Sequence, residues 1–119
     1  MENKFKKQNP DKLKRKELST SIIKQNPGKI PVILEKESTS KLANIKKTRY
    51  LLEEKYPISE FILSIRKSIN LGENEGLFLS AKGKYNLTQE KTIGEVYNLY
   101  KDKEDGFLYI MYSSMVVFG

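Results

Sequence analysis

From Lys29 to Lys36 the chain reads Lys-Ile-Pro-Val-Ile-Leu-Glu-Lys, so that Ile30, Val32 and Leu34 fall on one face and Pro31 and Ile33 on the other. A period of two predicts a strand, and Pro31, which has no N–H to donate, suits a strand end or a sheet edge. A polar stretch, Glu37 to Lys47, leads to Arg49-Tyr50-Leu51-Leu52, a second short strand that pairs with the first as a hairpin. The period then changes. After Pro57, the residues Ile58, Phe61, Ile62, Ile65 and Ile69 share one face of an amphipathic helix of about three turns. Gly72 and Gly76 end that pattern before Leu77-Phe78-Leu79, a third strand, and Lys82-Gly83-Lys84 reads as a turn. Thr92 and Glu95 stand in capping-box register, ahead of a helical face made by Ile93, Val96, Tyr97 and Tyr100. Phe107 to Tyr112 is apolar without interruption, as in a strand buried on both faces. At the other end, Asn9-Pro10-Asp11 predicts a helix start with Asn9 as N-cap and Pro10 in the first turn. Leu18, Ile22 and Ile23 give that helix a short apolar stripe, and it stops by Asn26-Pro27-Gly28.

Strand, strand, helix, strand, helix, strand is the order of a β-grasp sheet, an α+β fold in which the last strand lies parallel to the first at the centre. Order alone also leaves a ferredoxin-like arrangement open.

Composition narrows the function more than the fold. At 119 residues the chain suits one domain, and it holds neither cysteine nor histidine. That removes thiol nucleophiles, disulfides, most zinc sites and histidine-based acid–base machinery, so an enzyme is not expected. No secretory h-region or 18-residue apolar run occurs, and the expectation is a soluble cytoplasmic protein. Of the net charge of +7, residues 1–29 carry +6, from nine Lys/Arg against Glu2, Asp11 and Glu17. Such an arm suits an anionic surface, or is simply solvated. The chain closes on Phe118-Gly119. A terminal glycine presents a carboxylate with no side chain to obstruct a narrow channel, which suits activation and transfer to an amine.

In their order and spacing, several segments resemble the autophagy-related ubiquitin-like modifiers, the group that includes GABARAP and the microtubule-associated-protein light chains. These are Lys29 to Ile33 with Glu35-Lys36, Lys47 to Leu51, Phe61 with Ile65-Arg66-Lys67, Ile93 to Tyr97, Lys101-Asp102-Lys103 with Asp105 to Tyr109, Tyr112-Ser113 and Phe118-Gly119. The resemblance implies a β-grasp domain over residues 29–112, with a mixed four-stranded sheet. It adds two N-terminal helices in the basic extension, residues 1–28, and a conjugation tail, residues 113–119. It further implies that Gly119 is adenylated by an activating enzyme, passed as a thioester between enzyme cysteines, and joined to the amine of phosphatidylethanolamine. A deconjugating cysteine protease belongs to the same pathway. No cofactor is expected beyond that covalent lipid, which would hold the protein on an autophagosomal or related vesicle membrane. With Gly119 as its natural end, the chain would need no processing before conjugation.

The resemblance also implies that receptors and adaptors dock an aromatic-x-x-aliphatic motif as an added strand along residues 49–52. A first pocket is then lined by Ile22, Pro31, Ile33, Arg49, Leu51 and Phe107, and a second by Tyr50, Leu52, Phe61 and Ile65, while Lys47 and Arg49 attract acidic residues flanking the motif. Arg66, Phe78 and Phe118 fall where the family contacts processing and activating enzymes. Four features depart from the family pattern: the tail Ser114 to Val117 in place of a polar one, Ser80 in place of an aromatic, Leu18 in place of an acidic residue, and one extra residue in the Lys101 to Asp105 loop. Two other readings stay open, an unconjugated β-grasp binding module and a binder of tubulin or nucleic acid through Lys12 to Lys16. A monomer is expected, and nucleic acid is the least expected partner.

Overall fold

The computed structural model describes residues 3–116. In chain order the elements are helices α1 (Lys4–Gln8) and α2 (Lys12–Gln25), strands β1 (Lys29–Lys36) and β2 (Arg49–Glu53), helix α3 (Ile58–Ser68), strands β3 (Phe78–Ala81) and β4 (Tyr85–Asn86), helix α4 (Ile93–Tyr100) and strand β5 (Leu108–Ser113). They build a mixed sheet in the order β2-β1-β5-β3-β4, and the fold is the α+β, ubiquitin-like β-grasp. β1 and β2 are antiparallel, with Pro31 opposite Leu51 and Ile33 opposite Arg49. β5 lies beside β1 in parallel, from Val32 opposite Leu108 to Lys36 opposite Tyr112.

The sheet has five strands rather than four, because Tyr85 and Asn86 pair with Ala81 and Ser80 across the Lys82-Gly83 turn. Two residues are too short a run for a period to register in sequence. Pro31 sits neither at a strand end nor at an edge: it is the third residue of β1, and β1 is interior. Leu34 donates its N–H to Thr48 on the β2 side, so alternation turns the missing donor of Pro31 toward β5. Pairing with β5 begins only at Val32, and no ladder bond is lost.

One face of the sheet carries the main core. Ile30, Val32 and Leu34 of β1 and Leu108, Ile110 and Tyr112 of β5 pack against Ile58, Phe61, Ile62 and Ile65 of α3 and Ile93 and Val96 of α4. The capping box at Thr92 and Glu95 forms in both directions. Tyr112 carries its hydroxyl through this core to the polar stretch, donating to Ala43 O at 2.7 Å and accepting from Ile45 N at 2.9 Å. The opposite face holds a smaller cluster, Phe5, Ile33, Phe107 and Tyr109, with Ile22 packed against it.

The N-terminal helices differ from the sequence expectation in two ways. Asn9 closes α1 instead of opening a helix, and α2 is capped by Asp11, whose carboxylate accepts from the N–H groups of Leu13 and Lys14. The buried residues of α2 are Arg15 and Ser19, while Leu18 is 42% exposed. Its fully buried positions are therefore polar and hydrogen-bonded, while Ile22 adds a half-buried apolar contact to the smaller cluster.

Candidate functional site

β2 is the outer strand of the sheet on one side, with β1 its single neighbour in the sheet order. The open edge has the geometry needed for an added strand, in which backbone groups supply affinity and flanking side chains supply selectivity. Arg49 and Leu51 project on the side of the smaller cluster, and Tyr50 and Leu52 pack partly buried against the main core.

The first set of pocket residues lies on one face of the sheet, but Pro31 is buried and Ile33 and Phe107 are each 2% exposed, beneath the surface. Ile33 and Phe107 share one cluster with Ile22 against it, Pro31 is buried beneath the strand pair, and Leu51, opposite Pro31, is 37% exposed at the rim. Two residues that sequence reasoning missed complete it. Phe5 of α1 is buried, its ring 5.1 Å from that of Phe107 and edge-on, and Tyr109 lies 6.3 Å from both. Arg49 places its guanidinium 4.9 Å from the Phe5 centroid. Phe5 is the sole aromatic in the basic arm, and that singularity was the available signal.

The second set divides. Tyr50 and Leu52 reach the surface, whereas Phe61 and Ile65 are each 1% exposed and belong to the core. Phe61 acts from below, its ring 5.2 Å from Tyr50 and nearly perpendicular to it. Burial raises the Tyr50 phenol above its usual range, with further increments from Tyr112 and Tyr56, so the ring stays neutral at physiological pH. Lys47 and Arg49 are exposed. Lys47 lies 4.8 Å from the Tyr50 ring, and Tyr50 donates to Lys47 O at 2.9 Å, so both cations stand beside the strand edge.

A polar hub fixes the spacing of this face. Asp105, wholly buried, accepts from Arg15 Nε at 2.8 Å, from Phe107 N at 2.9 Å and from the Tyr109 hydroxyl. Ser19 donates to the Asp105 carbonyl oxygen, and Arg15 also donates to Asn9 O at 2.7 Å. Burial pushes the Arg15 guanidinium down, but the bond and charge of Asp105 outweigh it. Burial, then the bond to Asp105, pushes the Tyr109 phenol far up. Lys6 and Asp102, paired at 2.6 Å, and Glu35, accepting from Lys4 N and Phe5 N, hold α1 in place.

Of the residues associated with processing, Arg66 donates to Gly72 O at 2.7 Å, tying the end of α3 to the following loop, and Phe78 is 41% exposed. Phe118 and Gly119 lie outside the described residues. Among the described residues no helix is long and apolar enough to cross a membrane.

A ubiquitin-like fold with two helices on the sheet face opposite the main core, and β2 as an open edge strand, defines a ubiquitin-like protein with an elaborated N-terminus. The model of the family described as autophagy protein Atg8 ubiquitin like matches residues 14–119, and the chain belongs to that family. It is 39% identical over 101 residues to autophagy-related protein 8D of Oryza sativa subsp. japonica, covering 85% of each chain. It is 37% identical over 117 residues to autophagy-related protein 8b of Arabidopsis thaliana, covering 98% of this chain and 93% of that one. The crystal structure of Trypanosoma brucei ATG8 shares the fold over the whole of both chains, with a TM-score of 0.85 at 24% identity.

Proposed function

We propose that this protein is a lipid-conjugated modifier of autophagy: Gly119 forms an amide with the amine of phosphatidylethanolamine, and the β2 edge recruits receptors that carry an aromatic-x-x-aliphatic motif. The chain is the substrate of the activating and conjugating enzymes, whose cysteines carry the thioesters. The single observation that most supports the reading is the open β2 edge, with Leu51 and Arg49 on one side of it and Tyr50 and Leu52 on the other. A strand added there presents alternate side chains to the two faces of the sheet beside β2. The aromatic residue enters over Ile33 and Phe107, and the aliphatic one beside Leu52. Lys47 and Arg49 attract acidic residues that precede the motif.

Two lipid acyl chains, at about 0.8 kcal/mol per buried CH₂, hold a small domain on a membrane stably. Mass spectrometry of the membrane-bound protein is expected to find the lipid on Gly119. Unchanged membrane recruitment of Gly119→Ala would leave an unconjugated binding module. Leu51→Ala is expected to weaken a motif peptide by about 1 to 3 kcal/mol, measured by calorimetry on a variant whose melting is unaltered. Equal affinity would remove the groove.

A further inference from the structure

The β3–β4 hairpin and the end of α4 form a second surface, at the sheet edge opposite β2. Tyr85 stacks on Tyr100 with centroids 4.8 Å apart and planes 16° from parallel, and Tyr85 remains 40% exposed. Lys84 lies 5.6 Å from the Tyr85 centroid, and Lys101 lies 5.3 Å from that of Tyr97. Leu99, which precedes Tyr100 in α4, is 58% exposed. The nearby carboxylates are engaged elsewhere, Asp102 by Lys6, Glu104 by Lys12 and Asp105 by Arg15. Lys84 and Lys101 form no ion pair among the described residues.

The turn supports a role for these cations. Lys82 and Gly83 have φ of +57° and +65°, the primed conformation favoured in tight hairpins, where Asn or Gly is the usual first residue. A lysine in the left-handed region costs on the order of 1–2 kcal/mol. The tip thus carries a cation at a position where a smaller residue would be more stable, which is the kind of strain that gathers at functional sites.

We infer that Lys82, Lys84, Tyr85, Tyr100 and Lys101 form a docking surface for an acidic peptide segment of a second protein. Charge complementarity selects carboxylates for the uncompensated lysines, and the exposed edge of the stacked Tyr85 gives a rigid border beside them. Single-stranded nucleic acid fits less well, since it needs free aromatic faces for its bases and Tyr85 already has Tyr100 and Lys84 against its ring. Placement matters as well. β4 stands four strand spacings from β2, about 19 Å, so a partner here leaves the β2 edge free. The hairpin also lies at the start of β5, since Ala81 pairs with Ile110, whereas the chain departs toward Gly119 from the far end, where Phe78 pairs with Ser113. If the tail is held at a membrane, as in the function proposed above, this surface points away from it.

The test is independent of conjugation. Titrating the ¹⁵N-labelled protein with hexaglutamate, and separately with hexathymidylate, is expected to move the amide signals of residues 82–86 and 99–101 with hexaglutamate and to leave residues 49–53 in place. Charge reversal by Lys84→Glu with Lys101→Glu is expected to weaken hexaglutamate binding by about tenfold, the scale of two exposed charge contacts; both side chains are exposed, so the fold is kept. The inference is overturned by shifts centred on the lysines of α2, by tighter binding of hexathymidylate, or by equal affinity in the reversed variant. A failure of Gly119 conjugation would leave this result untouched.

Discussion

Replacing Asp105 by Asn keeps the size and shape of a fully buried side chain and removes only its charge. The amide oxygen can still accept from Phe107 N, as the carboxylate does at 2.9 Å. Its NH₂, however, cannot accept from Arg15 Nε and the Tyr109 hydroxyl together, as the second carboxylate oxygen now does. Arg15, 6% exposed, is left without its counter-charge. Breaking a buried pair from one side typically costs about 3–5 kcal/mol, and the lower end applies here, because Arg15 keeps its bond to Asn9 O and sits on a terminal helix that can let it out to water. Against a total stability of about 5–15 kcal/mol, a loss of about 3 kcal/mol is large. At roughly 4 °C per kcal/mol for a chain of this size it lowers the melting temperature by about 12 °C. Urea unfolding followed by far-ultraviolet circular dichroism measures the loss directly. Adding Arg15→Met removes the orphaned charge, so the double variant is expected to be at least about 1 kcal/mol more stable than Asp105→Asn alone. A single variant within about 1 kcal/mol of the parent, or a double variant whose loss equals the sum of the two singles, would refute the argument that this ion pair seats α2.

Gly106→Ala is expected to cost about 2–3 kcal/mol, combining a positive φ of +78° with a new Cβ that would stand 2.8 Å from Ser19 Oγ. Ser19→Ala in that background should restore part of the loss in a thermal melt, and no rescue would mean that backbone strain acts alone. Burial raises the Asp102 carboxyl, but the Lys6 bond and the N–H groups of Glu104 and Asp105 outweigh it and hold it below the usual range. Its stabilisation is therefore present in full above the unfolded value, about pH 4, and is lost as pH falls through the lower folded value. Asp102→Asn should accordingly be less stable than the parent at pH 6 and approach it toward pH 2, and a gap that stays constant in acid denaturant titrations would contradict this. Thr92→Ala loses the cap of α4, with Thr92 Oγ1 3.2 Å from Glu95 N, and should cost about 1 kcal/mol in urea.

What the sequence exposed most clearly were elements whose signal is local. The eight residues of β1, the face of α3 and the capping box of α4 each depend on spacing within one segment, and spacing is visible without a fold. The face assignment of Ile30, Val32 and Leu34 against Ile33 followed for the same reason, and it brought Ile33, Phe107 and Ile22 to one side. The pocket residues that failed to reach the surface are Phe61 and Ile65 of α3 and, on the other face, Pro31, Ile33 and Phe107; an apolar position reads the same in sequence whether a ligand or the protein's own side chains cover it. Phe5 was missed because one aromatic among lysines has no period at all.

By itself, then, the sequence determined strands β1, β2, β3 and β5 and helices α3 and α4, the absence of thiol and imidazole chemistry, and the segments that resemble the family to which the chain belongs. Only the tertiary structure decided how α2 is held, why Pro31 sits inside the sheet, and which side chains of the groove face water. Each of those depends on groups distant in the chain: Arg15 meets Asp105 across 90 positions, and β5 pairs with β1 only from Val32 onward. A polar residue becomes a core residue when its partner arrives from elsewhere, and no local period records that partner.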